Sequence, residues 1–246
     1  MIALVAWRAR ALTPSGALAA ALVGTAVFGS GGWRNAAVLL AFFLSSTGLS
    51  HLGRATKKKL LDLGKTGPRD AAQVVANGGI AAVCALIGAG GNSLWTVAFA
   101  GAFAAAAADT WGTEIGTLGK GAPRSILSGK RVEAGLSGAI TVRGVLAELC
   151  GAFFIAGVAW AARASPAFLA VAIGGFCGAL ADSLLGASLQ ALRYCRGCAR
   201  YCETDPHQCG ADTTLVRGAA WMGNDAVNFV STAVGAAVAA AIYVLR

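Results

Sequence analysis

Apolar residues in this chain run in long blocks, without the polar face that an amphipathic surface helix needs. Seven blocks are close to the length of a membrane-spanning helix: residues 13–30, 33–50, 71–90, 93–108, 139–162, 167–190 and 224–244. The first is rich in glycine, and the fourth is short and runs into Asp109, so six spans are the alternative. The pattern predicts one all-α domain over 1–246, a polytopic transmembrane helical bundle.

The positive charges between these blocks predict the orientation in the membrane. With the N-terminus in the cytoplasm, 17 of the 20 Lys and Arg residues fall in cytoplasmic segments, and Arg34, Arg163 and Arg246 remain outside. This is the positive-inside bias of membrane proteins. It accounts for the net charge of +9, which in a soluble protein would suggest nucleic-acid binding. We expect a multi-pass protein of the cell membrane, with no cleavable signal peptide and with any active site facing the cytoplasm.

Four candidate carboxylates lie inside, at the end of or just beyond apolar blocks, where a charge is costly and usually functional. They are Asp109, Glu114, Asp182 and Asp225; capping and interhelical hydrogen bonding are the alternative, and capping explains Asp225 adequately. Carboxylates with no membrane-buried histidine suit Mg²⁺, so Asp109, Asp182 and Asp225 are its candidate ligands. Their polar neighbours are candidate substrate-binding residues: Thr110, Ser183, Asn224 and Asn228.

The pattern at the end of the fourth block recurs within the sixth. Phe103 and Phe176 are each followed by five small or apolar residues, an Asp and a hydroxyl residue. The similarity indicates an internal repeat whose two halves run in the same direction, as in some membrane proteins built from parallel repeats.

A basic segment precedes the third block and could hold phosphates. Gly64-Lys65-Thr66 resembles the end of a P-loop, but the glycine required five places before Gly64 is absent, so we reject a Walker A site. Lys65 and Arg69 remain candidate catalytic cations, with a basic interfacial anchor as the alternative. Gln73 and Asn77 follow them in the chain. Because these two amides are four residues apart, they share a helix face, and both are candidate substrate-binding residues.

The polar segment 191–223 contains a cluster of cysteines and a histidine. Because we expect it to face the reducing cytosol, we expect no disulfides there. The spacing fits a closed tetrahedral Zn²⁺ site, with reduced free thiols as the alternative. The preferred ligands are Cys195, Cys198, His207 and Cys209, with Cys202 as a substitute.

Several strings together resemble an integral-membrane family designated domain of unknown function 92. The most specific are Asp109-Thr-Trp-Gly-Thr-Glu114, Gly64-Lys-Thr-Gly-x-Arg69, Asp182-Ser-Leu-Leu-Gly-Ala and Asn224-Asp225-Ala-Val-Asn228. The resemblance extends over nearly the whole chain. One departure is Glu133-Ala-Gly-Leu-Ser137-Gly138, where a string rich in glycine and asparagine is expected, so the acceptor substrate could differ.

That family includes the plant phytyl-phosphate kinase of vitamin E synthesis. The resemblance implies a prenyl-phosphate kinase that uses Mg²⁺ to transfer a phosphoryl group from a nucleotide, with CTP preferred to ATP. The acceptor would be a prenyl monophosphate such as phytyl or geranylgeranyl phosphate, and the catalytic set would be Asp109, Glu114, Asp182, Asp225, Lys65 and Arg69.

Two other functions stay open. One is a membrane transporter for an anionic or phosphorylated lipid-linked solute, and the other is a non-enzymatic scaffold whose Cys/His segment is a zinc-dependent docking module. The expected partners are membrane lipid, a prenyl phosphate and a nucleotide triphosphate, without nucleic acid; a homodimer is left open.

Overall fold

The computed structural model describes residues 1–52, 67–119 and 121–246. These residues contain seven α-helices and two small β-sheets. The helices are α1 (Ile2–Arg8), α2 (Pro14–His51), α3 (Ala71–Ile87), α4 (Ser93–Gly116), α5 (Val142–Ala161), α6 (Phe168–Ser188) and α7 (Asn224–Val244). A 3₁₀ turn, Gly88–Gly90, follows α3. The fold is the helical membrane bundle that the apolar blocks predict.

Within the part of the chain that the structure describes, five helices are long and apolar enough to cross a membrane. They are α2, α3 together with its 3₁₀ turn, α5, α6 and α7. The number of spans and the cytoplasmic N-terminus stay predictions.

Helix α2 is a hairpin of two arms, residues 14–31 and 33–51. Gly32 breaks it with φ 58° and ψ −146°, a left-handed backbone region that glycine enters without steric cost. Both arms return to the start of α3. Thr13 pairs with Arg69 through a backbone hydrogen bond of 3.0 Å, and the Phe43 ring lies 6.0 Å from the Arg69 guanidinium carbon. The break agrees with the predicted gap between the first two blocks.

Helix α4 is the centre of the bundle and packs against α2, α3, α5, α6 and α7. Every residue from Val97 to Ala108 is buried. The predicted fourth block ended at 108, whereas the helix continues to Gly116. Asp109 therefore lies within the helix and not at its end. Several polar residues after it line a cavity.

Helices α4 and α6 lie side by side and run in the same direction. A Cβ added at Gly175 would lie 2.6 Å from the Ala104 Cβ, and one added at Gly178 would lie 2.4 Å from the Ala105 Cβ. Small residues at these crossings allow the close backbone approach typical of membrane helices. The parallel arrangement brings the two Phe-to-Asp segments to the same level, as the predicted repeat requires.

The longer connections gather at one end of the bundle, which we call the polar end. Here the chain enters α3, α5 and α7 and leaves α4 and α6. The described part of the segment between α4 and α5 contains the hairpin of β1 (Arg124–Ser125) and β2 (Ala139–Ile140). The segment between α6 and α7 forms an antiparallel sheet of β3 (Leu192–Cys195), β4 (Arg200–Cys202) and β5 (Thr213–Arg217), in the order β4-β3-β5. The apolar blocks gave no signal for these sheets.

Candidate active site

The polar end encloses a cavity of about 400 Å³ whose walls carry most of the predicted site residues. Of the predicted residues, the lining includes Asp109, Thr110, Glu114, Asp182, Ser183, Arg69, Gln73, Asn77, Asn224 and Asn228. These ten come from α3, α4, α6, α7 and the turn before α3. Residues from four separate stretches of the sequence, 69–77, 109–114, 182–183 and 224–228, therefore share one space.

Two predicted residues are not part of this lining. Lys65 lies outside the described residues, so its position is not given. Asp225 is in the first turn of α7 and does not line the cavity, although Asn224 and Asn228 do. The N-cap residue of α7 is Gly223, so Asp225 is not the cap, although its position in the first turn suits a negative charge at a helix N-terminus.

The start of α3 fixes the amide residues of the site. The Asp70 side chain accepts a hydrogen bond of 2.9 Å from the Gln73 backbone, and the Gln73 side chain accepts one of 3.1 Å from the Asp70 backbone. This reciprocal capping box satisfies two amides that the helix end leaves free. One turn later Asn77 donates to the Gln73 carbonyl at 2.9 Å. Local sequence thus orients Gln73 and Asn77 at the polar end.

Arg69 is held rigidly at the cavity wall. Its backbone N–H donates to the Ala11 carbonyl and its carbonyl accepts from Thr13, both at 3.0 Å. Burial lowers the pKa of the Arg69 guanidinium, and the Glu114 carboxylate acts in the opposite direction. Arginine remains charged in proteins even so. Among the described residues that line this cavity, Arg69 is the only Lys or Arg.

Glu148 is a site residue that the sequence interpretation missed. It is 7% exposed in the middle of α5, lines the cavity, and interacts electrostatically with Asp109 and Asp182. The signal was present, because a carboxylate inside an apolar block is costly in lipid. Without the structure, nothing in the sequence indicates that this part of α5 meets the cavity.

The carboxylate atoms offer an unused ligand capacity. Glu148 Oε2 and Asp182 Oδ2 are buried and have no hydrogen-bond partner within the parts of the chain that the structure describes. A buried carboxylate oxygen without a partner is expensive. Oxygen ligands of this kind fit Mg²⁺, which would remove that cost.

Glu203 is the second carboxylate that was missed. It follows β4, lines the cavity, and accepts hydrogen bonds from the Ser137 backbone (3.1 Å) and the Gln190 side chain (2.8 Å). Burial raises the pKa of the Glu203 carboxyl to about 7, against the opposing effect of these bonds and of Arg217. Since Ser137 belongs to the segment that departs from the family pattern, Glu203 connects that segment to the sheet.

The sheet also gathers the four preferred zinc ligands. The ligand atoms of Cys195, Cys198, His207 and Cys209 all lie within 4.8 Å of one another. The Cys195 and Cys209 sulfurs are 3.6 Å apart, and His207 Nδ1 is 3.1 Å from the Cys209 sulfur. Cys202 is not in this group, since its buried sulfur faces the Thr204 carbonyl at 3.7 Å. None of the seven cysteines forms a disulfide.

Comparison with known proteins decides the family. The model of the integral membrane protein family DUF92 matches residues 1–236. The chain belongs to the DUF92 family. Protein PGR of Arabidopsis thaliana is 32% identical over 94% of this chain and 88% of its own. An uncharacterized membrane protein of Methanocaldococcus jannaschii is 32% identical over 76% of this chain and 78% of its own.

A more distant DUF92 member is Protein VTE6, chloroplastic, of Arabidopsis thaliana, 27% identical over 93% of this chain and 64% of its own. It is the phytyl-phosphate kinase to which the resemblance pointed. No solved structure matches the chain. The specific DUF92 strings that contain Asp109, Asp182 and Asn224 all contribute to the cavity lining.

Proposed function

We propose that this DUF92 protein is a prenyl-phosphate kinase. It would transfer the terminal phosphoryl group of a nucleotide, with CTP the expected donor, to the phosphate of a prenyl monophosphate. The proposal depends on two adjoining cavities. The first contains buried carboxylates and an arginine, and the second is mostly apolar; Arg69, Gln73 and Asn77 line both. Such a junction suits a substrate with an anionic head and a hydrocarbon chain.

The reaction needs positioning and charge stabilisation more than proton transfer. An oxygen of the acceptor phosphate attacks the terminal phosphorus of the nucleotide, the bond to the bridging oxygen breaks, and the nucleoside diphosphate leaves. The attacking oxygen is already anionic at neutral pH, so no strong general base is required. The absence of a histidine from the described cavity lining agrees with this chemistry.

Each wall of the cavity has a part in this proposal. Asp109, Glu148 and Asp182 would hold Mg²⁺, which supplies neutralising charge to the phosphate oxygens when bound. Arg69 would neutralise charge on the group in transfer, and Lys65 keeps the same proposed role from outside the described residues. Glu114 remains a proposed catalytic residue through its electrostatic interaction with Asp109 and Arg69. Asp225 would need to act from outside the cavity lining.

The polar amides and hydroxyls are proposed to orient the two phosphates. Asn77, Asn224 and Asn228 approach from two different helices, so they can hold a bound anion in one position. Holding reactants in line is a large part of the rate enhancement available to a phosphotransferase. Thr110 and Ser183 add hydroxyls beside the two Asp residues, as Gln73 adds an amide beside Arg69.

A transporter is less well supported by the packing. A transported solute would have to pass from the polar end to the opposite end of the bundle. Toward that end Val27, Val38, Val97 and Phe99 have no measurable exposure to solvent, and the cavity that extends in this direction to Gly29 has a mostly apolar wall. The polar lining residues all lie toward the other end.

We also propose that the four-residue cluster binds Zn²⁺ as a structural site. Ligand atoms around one tetrahedral Zn²⁺ are roughly 3.3–3.8 Å apart, given Zn–S and Zn–N bonds near 2.3 and 2.0 Å. The Cys195–Cys209 distance of 3.6 Å is in that range, the His207–Cys209 distance of 3.1 Å is slightly shorter, and all four ligand atoms lie within 4.8 Å of one another. A bound ion would tie the β-sheet together near Glu203.

The kinase proposal is tested with purified protein in lipid nanodiscs. Labelled CTP or ATP and Mg²⁺ are incubated with prenyl alcohols and monophosphates, and products are separated by chain and charge. We expect a labelled prenyl diphosphate from a monophosphate. Label that stays in nucleotide or inorganic phosphate with every acceptor would overturn the proposal.

A further inference from the structure

A second cavity, of about 550 Å³, lies between the two arms of α2 and α3. Its wall is mostly apolar, with Ala20, Ala21 and Gly24 from the first arm and Ala36, Leu39 and Leu40 from the second. Helix α1 contributes Met1, Ile2, Ala3 and Ala6 to the same wall. The cavity is therefore an apolar compartment within a helical hairpin.

The two cavities meet at one place. Phe42, Arg69, Gln73 and Asn77 line both of them. The guanidinium and two amides at this junction can bind an anionic head group, and the mostly apolar wall beyond it suits a hydrocarbon chain. Charge complementarity therefore favours an anionic amphiphile with its head at Arg69 and its chain between the arms.

We infer that the apolar cavity holds the hydrocarbon chain of the prenyl monophosphate and that Gly24 and Gly29 set the longest chain accepted. The inference rests on the proposed function for the identity of the head group. Both glycines line the cavity, and a Cβ added at either would have no atom within 4 Å. The first atom of a larger side chain would therefore meet no other atom, and we expect the rest of that side chain to occupy part of the cavity.

The two glycines lie at different depths. An α-helix rises 1.5 Å per residue, so Gly24 is about 16 Å along the first arm from Thr13, and Gly29 is about 24 Å along it. Since Thr13 pairs with Arg69, these lengths are measured from the junction of the two cavities. A bulky residue at Gly24 should block a chain nearer its head than one at Gly29 does.

The chain offers a matched control in the same helix. Gly48 is in the second arm, has open space around an added Cβ, and lines neither cavity. Gly48→Phe makes the same chemical change as Gly24→Phe without filling the compartment. Gly24→Leu provides a smaller obstruction if the phenylalanine variant does not fold.

The test measures binding separately from turnover. Geranyl, farnesyl and geranylgeranyl monophosphates are titrated onto the nanodisc-bound full-length protein without nucleotide. We expect Gly24→Phe to weaken the binding of geranylgeranyl phosphate at least tenfold relative to the binding of geranyl phosphate. This is about the cost of leaving two methylenes unburied. Gly29→Phe should affect only the longest chain, and Gly48→Phe none.

The outcomes separate the two proposals. If the variants change the chain-length dependence of binding but neither they nor the wild type transfer a phosphoryl group, the tail site is supported and the kinase proposal is overturned. Transfer by all variants with an unchanged profile would overturn the tail site and leave the kinase intact. Equal competition by a two-chain anionic lipid such as phosphatidic acid would identify bulk lipid as the occupant and also overturn the tail site.

Discussion

The Glu148 side chain lies directly against the backbone of Gly112. A Cβ added at Gly112 would be 2.5 Å from Glu148 Cγ and 2.8 Å from its Oε1. Gly112 is the glycine of the string that begins at Asp109, so this string contributes both a carboxylate and the space for another one. The relationship explains why glycine is required there.

We predict that Gly112→Ala severely reduces activity although it adds only one methyl group. The methyl would displace Glu148 from its position beside Asp109, and misplacing a charged group by about 1 Å can cost roughly 100-fold. The prenyl-kinase assay with Mg²⁺ titration measures the effect, and the apparent Mg²⁺ affinity should fall as well. Gly48→Ala, with open space around its Cβ, is the control. Unchanged activity in Gly112→Ala would remove Glu148 from the metal site.

Neutralising either cavity Asp should abolish turnover without preventing membrane insertion. Asp109→Asn and Asp182→Asn keep the size of the side chain but remove a charged oxygen ligand, so we expect kcat to fall by roughly 100-fold or more. Membrane fractionation and size-exclusion elution should match wild type. Near-wild-type turnover in either variant would refute the metal role.

Asp225→Asn separates the cavity lining from the sequence motif. Because Asp225 does not line the cavity, we expect its substitution to lower kcat much less than Asp109→Asn does. The same assay under identical Mg²⁺ concentrations compares the two. An equal loss in both would return Asp225 to the proposed metal-binding set.

The purified protein should carry one zinc per chain, held by the Cys/His cluster. Cys195→Ser and Cys209→Ser each remove a ligand, so bound zinc measured by mass spectrometry should drop severalfold. Cys202→Ser is the matched control, because its sulfur faces the Thr204 carbonyl and not the cluster. Full zinc retention in Cys195→Ser, or its loss in Cys202→Ser, would contradict the assignment.

The charge of Glu203 should make acceptor binding sensitive to pH near 7. Its raised pKa, about 7, means that the carboxyl is largely protonated below that pH and anionic above it. The added negative charge repels an anionic acceptor, so KM should rise with pH relative to the Glu203→Gln variant, by roughly threefold to tenfold. Comparing the ratio of the two KM values from pH 6 to 8 cancels ionisation of the substrate itself. A constant ratio would show that Glu203 does not titrate near the acceptor.

The amino-acid sequence alone predicts the membrane-helix bundle, the family and many residues of the candidate site. Long apolar blocks can be satisfied in lipid only as helices, and this constraint acts locally along the chain. The capping box at Asp70 and Gln73 and the metal-ligand spacing from Cys195 to Cys209 are local too. Asp109 and Asp182 could be matched because each ends the same pattern in helices that run in the same direction.

Which side chains share the cavity depends on the three-dimensional packing and could not be predicted from the sequence. Glu148 and Glu203 enter it, and Asp225 does not line it, because helix rotation and the course of the sheet segment depend on packing between distant parts of the chain. The apolar cavity has the same origin: it exists because Gly32 folds α2 back on itself and the small residues of two arms then face each other. Apolar composition alone does not tell whether a residue faces lipid, a neighbouring helix or an enclosed space.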